Sequence, residues 1–445
     1  MNRGTARTLL APDASEDIVS GSIRRMREAL IAREISPVEL VSEALARVRR
    51  DEPKLRAWVE VDAESALAAA REVDVESGPL AGIPFGAKDV IDVRGFATRY
   101  GTRWMSGDPP ARFDAWCVAA MRAAGAIPLG KLETTPFAFS DPAPTRNPWN
   151  TLRTPGGSSA GSGAAVGARQ IPFAFATQTG GSTLRPAAYC GAVGFKPTFG
   201  AIPTAGVSRL APTFDHVGII CRDADDATTL FGLFDPSVAN VPAPAVPRLL
   251  MAVGFHEEIA GIEIRMILET AAARLSRAGA TIIRGPLPAD LDAAHTCWRT
   301  ICAYEARANL AESLRDQPLS PLLRALLDEA CDAASYREAQ LQRLRLRPKI
   351  DALFERYDAI VLPAAGPVPD VTTTGTEHQA FLRPWSFFGM PSISLPVEFD
   401  ADGMPVGLQI VAKRGDDACL LAIARWAESA IEFANPGPRR LLDRA

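Results

Sequence analysis

Apolar residues recur at helical spacing after Ser36 and give a clear helix pattern near the start of the chain. Ser36 is a hydroxyl N-cap, Pro37 fits the first helical position, and Glu39 can complete a capping box. One face of the predicted helix then carries the apolar residues Val38, Val41, Leu45 and Val48. The pattern predicts an amphipathic helix that begins at Pro37.

Shorter apolar runs bounded by glycine and proline predict β-strands. The run 81–91 is one of them, and it contains Lys88, an unusual residue for an apolar stretch. The other predicted strands are 173–177, 248–255, 280–284, 359–362, 392–395 and 407–411. The predicted later helices are 262–278, most of 291–350, and 417–431. Strands that alternate with helices predict an α/β fold, in which helices cover both faces of a sheet.

The stretch 235–247 carries four prolines and no helical period, so it is predicted to link two halves of the fold. We predict one domain over 1–445. Its N-terminal helical part is 1–75, and the core with the candidate catalytic loops is 76–234. The part 248–445 completes the sheet and the substrate pocket.

Composition narrows the functional class. Hydrophobic residues are 47% and charged residues 22% of the chain, which is typical of a globular protein. The formal net charge of -4 provides no basic surface for a phosphate backbone, so direct nucleic-acid binding is not predicted. No apolar run approaches the roughly 18 residues of a membrane span. Seven cysteines, without a CxxC spacing, indicate free thiols, and we predict a cytoplasmic protein without a membrane partner.

Two loops rich in glycine and serine, 154–168 and 178–185, are the candidate sites of chemistry. A phosphate-binding loop is not favoured, because 161–167 and 191–197 have the wrong glycine spacing. A metal site is not favoured either. Among His295, Cys297 and Cys302, a helix would point Cys297 away from the other two, so no metal is predicted.

A serine nucleophile is favoured by the same loops, in one of two forms. The run 157–161 matches the GxSxG elbow around Ser159, but no histidine lies in a catalytic setting and no strand precedes the run. In the other form, a buried lysine is the base. Burial lowers the pKa of an ammonium group, so Lys88 could be neutral near pH 7 and activate a loop serine. Consecutive N–H groups in 179–182 could then bind an oxyanion.

Several motifs, in order along the chain, resemble the amidase signature family. They are Pro155-Gly156-Gly157-Ser158-Ser159, Gln178-Thr179-Gly180-Gly181-Ser182 and Gly194-Phe195-Lys196-Pro197-Thr198-Phe199-Gly200, with Asn147-Pro148-Trp149 before them and Met404-Pro405-Val406-Gly407-Leu408-Gln409 after them. Ser158 and Ser182 are 24 residues apart (182 − 158), and Lys88 lies upstream. The resemblance covers nearly the whole chain.

The resemblance implies a fold, an activity and a set of roles. The fold would be a large mixed, mostly parallel β-sheet covered by helices, and the activity would be hydrolysis of a carboxamide without a cofactor. Ser182 would be the nucleophile that forms an acyl-enzyme, Ser158 the proton relay after a cis Gly157-Ser158 bond, and Lys88 the base. The oxyanion hole would be formed by the backbone N–H groups of Thr179, Gly180, Gly181 and Ser182.

The sequence around Ser182 departs from most of the family. Gln178 stands where most members have Asp, and Arg185 is at the third position after Ser182. This variant resembles the bacterial malonamidase branch, in which the arginine holds a substrate carboxylate. We therefore predict a small carboxylate-bearing amide as substrate, with Arg185 as its clamp. The alternative is that Arg185 binds a structural carboxylate or backbone carbonyls, and Arg383 and Trp385 are further pocket candidates.

Two other functions remain open. The family includes the amidase subunit of a glutamine-dependent tRNA amidotransferase complex, and it includes amidases for neutral aryl or alkyl amides. A binding protein without activity is not favoured, because Lys88, Ser158 and Ser182 are all present. The predicted partners are a small-molecule amide substrate and, from the family, a second copy in a homodimer.

Overall fold

The computed structural model describes residues 18–102, 104–105, 108–311, 314–371 and 379–438. The helices of the first part are α1 (Ile23–Ile31), α2 (Pro37–Leu55), α3 (Ala63–Glu72), α4 (Trp116–Ala123), α5 (Ala160–Gly167), α6 (Leu184–Cys190) and α7 (Ala224–Phe231). Those of the second part are α8 (Glu257–Arg277), α9 (Ala293–Leu310), α10 (Pro321–Asp328), α11 (Ala333–Asp351), α12 (Arg383–Phe388) and α13 (Asp417–Ile431). Short 3-10 turns lie at Pro136–Ala138, Pro236–Val238 and Ala352–Glu355.

The strands join in one sheet. They are β1 (Trp58–Val61), β2 (Pro84–Lys88), β3 (Ile127–Leu132), β4 (Phe173–Gln178), β5 (Val193–Lys196), β6 (His216–Cys221), β7 (Arg248–Ala252), β8 (Thr281–Gly285), β9 (Ala359–Pro363), β10 (Ser392–Phe399) and β11 (Pro405–Val411). Their order across the sheet is β1-β3-β2-β4-β6-β5-β10-β11-β9-β7-β8.

The predicted mixed α/β sheet is confirmed, but it has fewer parallel pairs than the resemblance implied. Among the described strands, β2 is parallel to β3 and β4, and β7 is parallel to β8 and β9. The remaining six neighbouring pairs are antiparallel. The reason lies in the middle of the sheet, where β10 and β11 form a hairpin and β6 runs opposite to both β4 and β5.

Alternate residues of β4 face two different layers of the core. Phe173 and Phe175 belong to the large apolar cluster on one face, where Phe173 stacks on Phe85 with ring centroids 5.1 Å apart. Ala174 and Ala176 belong to a second cluster on the other face, which is built with helices α2, α3, α5 and α6. The small side chains on this second face let glycine-rich α5 pack directly on the sheet.

Most of the predicted elements are present. The capping box of Ser36 and Glu39 begins α2 as predicted. The helix predicted for 262–278 is the regular part of α8, because Gly261 has a positive φ of 73° that interrupts the first turn. The described helices include none that is both long and apolar enough to cross a membrane.

Strands from before and after the proline-rich stretch 235–247 belong to the same sheet. Strand β5 precedes this stretch and pairs with β10, which follows it. Strands from both parts of the chain therefore share one ladder of hydrogen bonds.

Candidate active site

Lys88 is the last residue of β2 and its side chain is fully buried. Its Nζ atom lies 2.7 Å from the Ser158 hydroxyl and 2.7 Å from the Thr177 hydroxyl. Burial holds the pKa of Lys88 well below its usual value, although the charge of Asp215 opposes this effect. An amine in this position is suited to accept a proton from a neighbouring hydroxyl.

Ser158 follows a cis peptide bond with Gly157, as the family resemblance implied. Its carbonyl oxygen accepts hydrogen bonds from the Thr135 N–H at 3.1 Å and the Thr134 hydroxyl at 3.1 Å. The Ala160 N–H also donates to this oxygen, at 2.9 Å. These contacts fix the backbone of Ser158, while its hydroxyl is directed to Lys88.

Ser182 lies in the turn between β4 and α6, and 6% of its surface is exposed. Its carbonyl oxygen accepts a hydrogen bond from the Ser159 N–H at 3.3 Å, so the two serine loops are in direct contact. The Gln178 side chain braces the turn: its oxygen accepts from the N–H groups of Thr183 at 2.9 Å and Leu184 at 3.1 Å.

Two carbonyl groups of the same turn accept hydrogen bonds from side chains of later segments. The Trp298 indole N–H donates to the Thr179 carbonyl at 2.9 Å, and the Ser386 hydroxyl donates to the Gly180 carbonyl at 2.8 Å. In a trans peptide the N–H group points opposite to the carbonyl, so the N–H groups of Gly180 and Gly181 point away from these donors. Neither N–H donates a hydrogen bond to another described residue.

Side chains of the 379–382 segment pack closely against both glycines. A Cβ atom at Gly180 would lie 1.9 Å from Oε1 of Gln379, and one at Gly181 would lie 2.7 Å from Cδ1 of Leu382. Because neither residue has a Cβ atom, no side chain of their own covers the two N–H groups. This is the arrangement required to stabilise an oxyanion.

Arg185 is fully buried in α6, and its Nη2 group donates to the Gly157 carbonyl, in the peptide that precedes Ser158. Arg383 lies over the Trp298 ring, with its guanidinium carbon 4.4 Å from the centroid. Burial lowers the pKa of Arg383 to about 10, and repulsion from Arg185 acts in the same direction. The site thus has two guanidinium groups close enough to repel each other. Trp385, the other pocket candidate, is fully buried.

Several residues around the candidate site were not predicted from the sequence. Thr177, Asp215, Trp298, Ser386 and Gln379 have no motif of their own. Asp215 accepts a hydrogen bond from the Thr179 hydroxyl at 2.6 Å, and burial raises its pKa to about 6. In the sequence, Asp215 could be recognised only by its position in the run 214–218, directly before the buried strand β6.

The other candidate residues from the sequence lie outside the contacts between Lys88, Ser158 and Ser182. The Ser159 hydroxyl is fully buried and donates to the Thr177 carbonyl at 3.3 Å. His216 is buried, and its Nδ1 lies 3.2 Å from the Gln178 carbonyl. His295 does not join Cys297 and Cys302 in a cluster of metal-ligand atoms; its close neighbours of this kind are His256 and Asp292.

Comparison with known proteins identifies the family. The family model described as Amidase matches residues 39–421, so this chain belongs to the amidase family. It is an enzyme that cleaves amide bonds by hydrolysis.

Relatives in sequence are components of a larger enzyme. The A subunit of glutamyl-tRNA(Gln) amidotransferase from Geobacillus stearothermophilus is 31% identical, over 94% of this chain and 98% of that protein. Its counterpart from Symbiobacterium thermophilum is 32% identical, over 91% of this chain and 96% of that protein.

Relatives in structure are amidases and related hydrolases. A crystal structure of an amidase has a TM-score of 0.85 at 29% identity, covering 92% of this chain and 99% of the other. The peptide amidase of Stenotrophomonas maltophilia has a TM-score of 0.81 at 27% identity, covering 94% and 98%. A 6-aminohexanoate cyclic dimer hydrolase in complex with its substrate has a TM-score of 0.84 at 25% identity, covering 95% and 99%.

Proposed function

We propose that this amidase hydrolyses a small, carboxylate-bearing amide through an acyl-enzyme on Ser182, with Ser158 and Lys88 as the proton relay. The observation that supports this most directly is the 2.7 Å contact between Lys88 and Ser158 inside the protein. A lysine at the surface would be protonated at pH 7 and could not act as a base. Burial lowers the pKa of this one, which makes the neutral amine available.

The proposed reaction moves one proton in and out of the relay. As Ser182 Oγ attacks the amide carbon, its proton passes to Ser158 and the Ser158 proton passes to Lys88. The oxyanion that forms is held by the N–H groups of Gly180 and Gly181, together with those of Thr179 and Ser182. Protonated Lys88 then returns the proton through Ser158 to the leaving nitrogen, which departs as ammonia or an amine. Water repeats the sequence and releases the acid.

The charge of the site supports an anionic substrate. Arg185 and Arg383 bring two guanidinium groups to the vicinity of the candidate nucleophile. One guanidinium group of this kind can orient a substrate carboxylate by a bidentate contact. The position of Arg185 is also the feature that resembles the malonamidase branch. Arg185 also donates to the Gly157 carbonyl, which fixes its guanidinium group beside Ser158.

A second candidate function is supported by the relatives. The chain covers nearly the full length of the amidotransferase relative from Geobacillus stearothermophilus at 31% identity. In that function the same relay would release ammonia from glutamine inside a complex, and the isolated chain would have little activity. Ammonia release by the purified chain without partners separates the two functions.

The test is ammonia release from a panel of matched amides with and without a carboxylate, including glutamine. We expect turnover of the anionic amides by the wild-type chain, loss of kcat in Ser182→Ala, and a raised KM for anionic amides alone in Arg185→Ala. Ser159→Ala is the matched control, because it removes a buried hydroxyl from the adjoining loop and is expected to keep activity. Turnover by Ser182→Ala would refute the nucleophile, and equal losses on neutral amides would refute the carboxylate contact.

A further inference from the structure

Three metal-ligand side chains meet outside the proposed catalytic relay. His256 precedes α8, Asp292 precedes α9, and His295 lies in the first turn of α9. Nε2 of His256 lies 3.2 Å from Nε2 of His295 and 3.5 Å from Oδ1 of Asp292. Within the described ranges, this is the one group of three such residues whose ligand atoms all lie within 4.8 Å of one another.

The separations match those around a tetrahedral metal ion. Zinc binds imidazole nitrogen and carboxylate oxygen at about 2.0–2.1 Å, so ligand atoms at tetrahedral corners are about 3.3–3.4 Å apart. Two of the separations, 3.2 and 3.5 Å, lie on either side of this value, and the third, between His295 and Asp292, is within 4.8 Å. One ion could therefore bind all three side chains after a shift of the exposed Asp292 carboxylate.

The contact between the two imidazole rings also suits a metal ion. Two Nε2 atoms in contact can share only one proton when no ion is present, whereas a metal ion uses both lone pairs.

The surroundings provide a carboxylate for the other ring nitrogen. Oε1 of Glu258 lies 3.5 Å from Nδ1 of His256, on the side of the ring away from Asp292 and His295. A carboxylate in this position orients a ligating histidine and favours the tautomer with its lone pair on Nε2. Arg383 is the nearby positive group that opposes a cation, and the charges of Asp292 and Glu258 offset it.

We propose that His256, Asp292 and His295 bind one divalent transition-metal ion of the zinc class, with water in the fourth position. The ion would tie the start of α9 to the start of α8. Three residues after His295, the same helix carries Trp298, whose indole holds the Thr179 carbonyl of the oxyanion turn. The ion would thereby steady this helix, and its binding does not depend on the proposed reaction.

The test measures zinc binding by the full-length, untagged chain. After dialysis against a chelator, the protein is titrated with zinc in competition with a chromophoric chelator. We expect one zinc ion per chain in the wild type and none at the same concentrations in His295→Gln or Asp292→Asn. Glu258→Gln should bind about 10–100-fold more weakly. The matched control is Asp290→Asn, an exposed carboxylate of the same loop that pairs with Lys349.

A second measurement excludes the cysteines as ligands. Cobalt bound to nitrogen and oxygen shows d–d absorption without the charge-transfer band of a thiolate. Zinc should also raise the melting temperature of the wild type but leave that of His295→Gln unchanged. The proposal fails if the wild type binds no zinc, if Asp292→Asn binds like Asp290→Asn, or if the cobalt spectrum shows a thiolate. Asp292 and Glu258 are exposed, so their variants keep the test valid if a histidine variant does not fold.

Discussion

Two buried lysines on adjacent strands have opposite surroundings. Lys131 pairs with Asp89 at 2.9 Å, and both side chains are fully buried. Lys88, which directly precedes Asp89, instead contacts two hydroxyl groups. Burial lowers the pKa of both lysines; at Lys131 the charge and the hydrogen bond of Asp89 oppose this, whereas at Lys88 the opposing charge of Asp215 comes without a hydrogen bond. The difference distinguishes a structural lysine from a candidate base.

Replacing each lysine by methionine should therefore give opposite results. Lys88→Met removes the base, and we expect kcat to fall by about 10²–10⁴-fold with little change in melting temperature. Lys131→Met removes the positive partner of the buried Asp89 carboxylate, which costs about 3–5 kcal/mol of folding free energy. Steady-state kinetics and urea unfolding of both variants check this. A Lys88→Met protein with wild-type kcat would rule out the relay.

The pH dependence of kcat/KM should respond to Asp215. In the proposed relay, activity requires neutral Lys88, so it should rise with pH through the lysine pKa, which burial places well below its usual value. The charge of Asp215 favours the ammonium form and raises that pKa. Asp215→Asn removes this attraction, so the lysine loses its proton at lower pH and the rising limb moves to lower pH.

The matched control for this shift is Asp417→Asn. The charge of Asp417 acts on Lys196, a different buried lysine, so its removal should leave the limb in place. A limb that moves to higher pH in Asp215→Asn, or moves equally in the control, would show that Lys88 is not the titrating group.

At the scale of elements, the packing of α5 against α6 sets the distance between the two serine loops. Each helix begins two residues after one of the candidate catalytic serines. The helices approach closely because glycines face the partner's backbone: a Cβ atom at Gly163 would lie 2.7 Å from the Pro186 oxygen, and one at Gly167 would lie 2.3 Å from the Cys190 oxygen. Larger residues at either glycine would separate the helices.

Gly167→Ala should thus affect both stability and activity. The added methyl group meets a backbone oxygen that cannot rotate away, and overpacking of this kind costs about 1–3 kcal/mol. We expect a lower melting temperature and a lower kcat, because Ser158 and Ser182 move apart. Gly285→Ala in β8 is the control, since its Cβ would meet only Cδ1 of Leu250 at 3.4 Å. Wild-type behaviour of Gly167→Ala in both measurements would contradict this account.

The elements also show what the sequence could predict. The motifs that contain Lys88, Ser158 and Ser182 were recognisable, because each is a short local pattern. The supports of the site were hidden, since Ser386 lies 208 residues from Gln178 and 206 residues from Gly180 along the chain. The pairing of His256 with His295 was hidden for the same reason. Contacts between distant segments depend on strand order, and local patterns do not encode that order.

At the scale of the whole molecule, one sheet spans both sides of the proline-rich stretch. We expect a chain cleaved at a protease site inserted after Val246, where the side chain is 56% exposed, to keep its two fragments together. The pairing of β5 with β10 holds them, so the cut protein should elute as one species and unfold in a single transition, like the intact chain. Two separate transitions, or fragments that part on a sizing column, would show two independent domains.

The bond between Ser386 and the Gly180 carbonyl has a consequence for synthesis of the protein. Gly180, in the proposed oxyanion turn, leaves the ribosome 206 residues before Ser386, which braces that turn. At about 5–20 residues per second, this leaves an interval of roughly 10–40 s. During that time β5 also lacks its neighbour β10 and presents an open edge to other nascent chains. We therefore expect the chain to gain activity, and to cover this open edge, only after its last strands are translated.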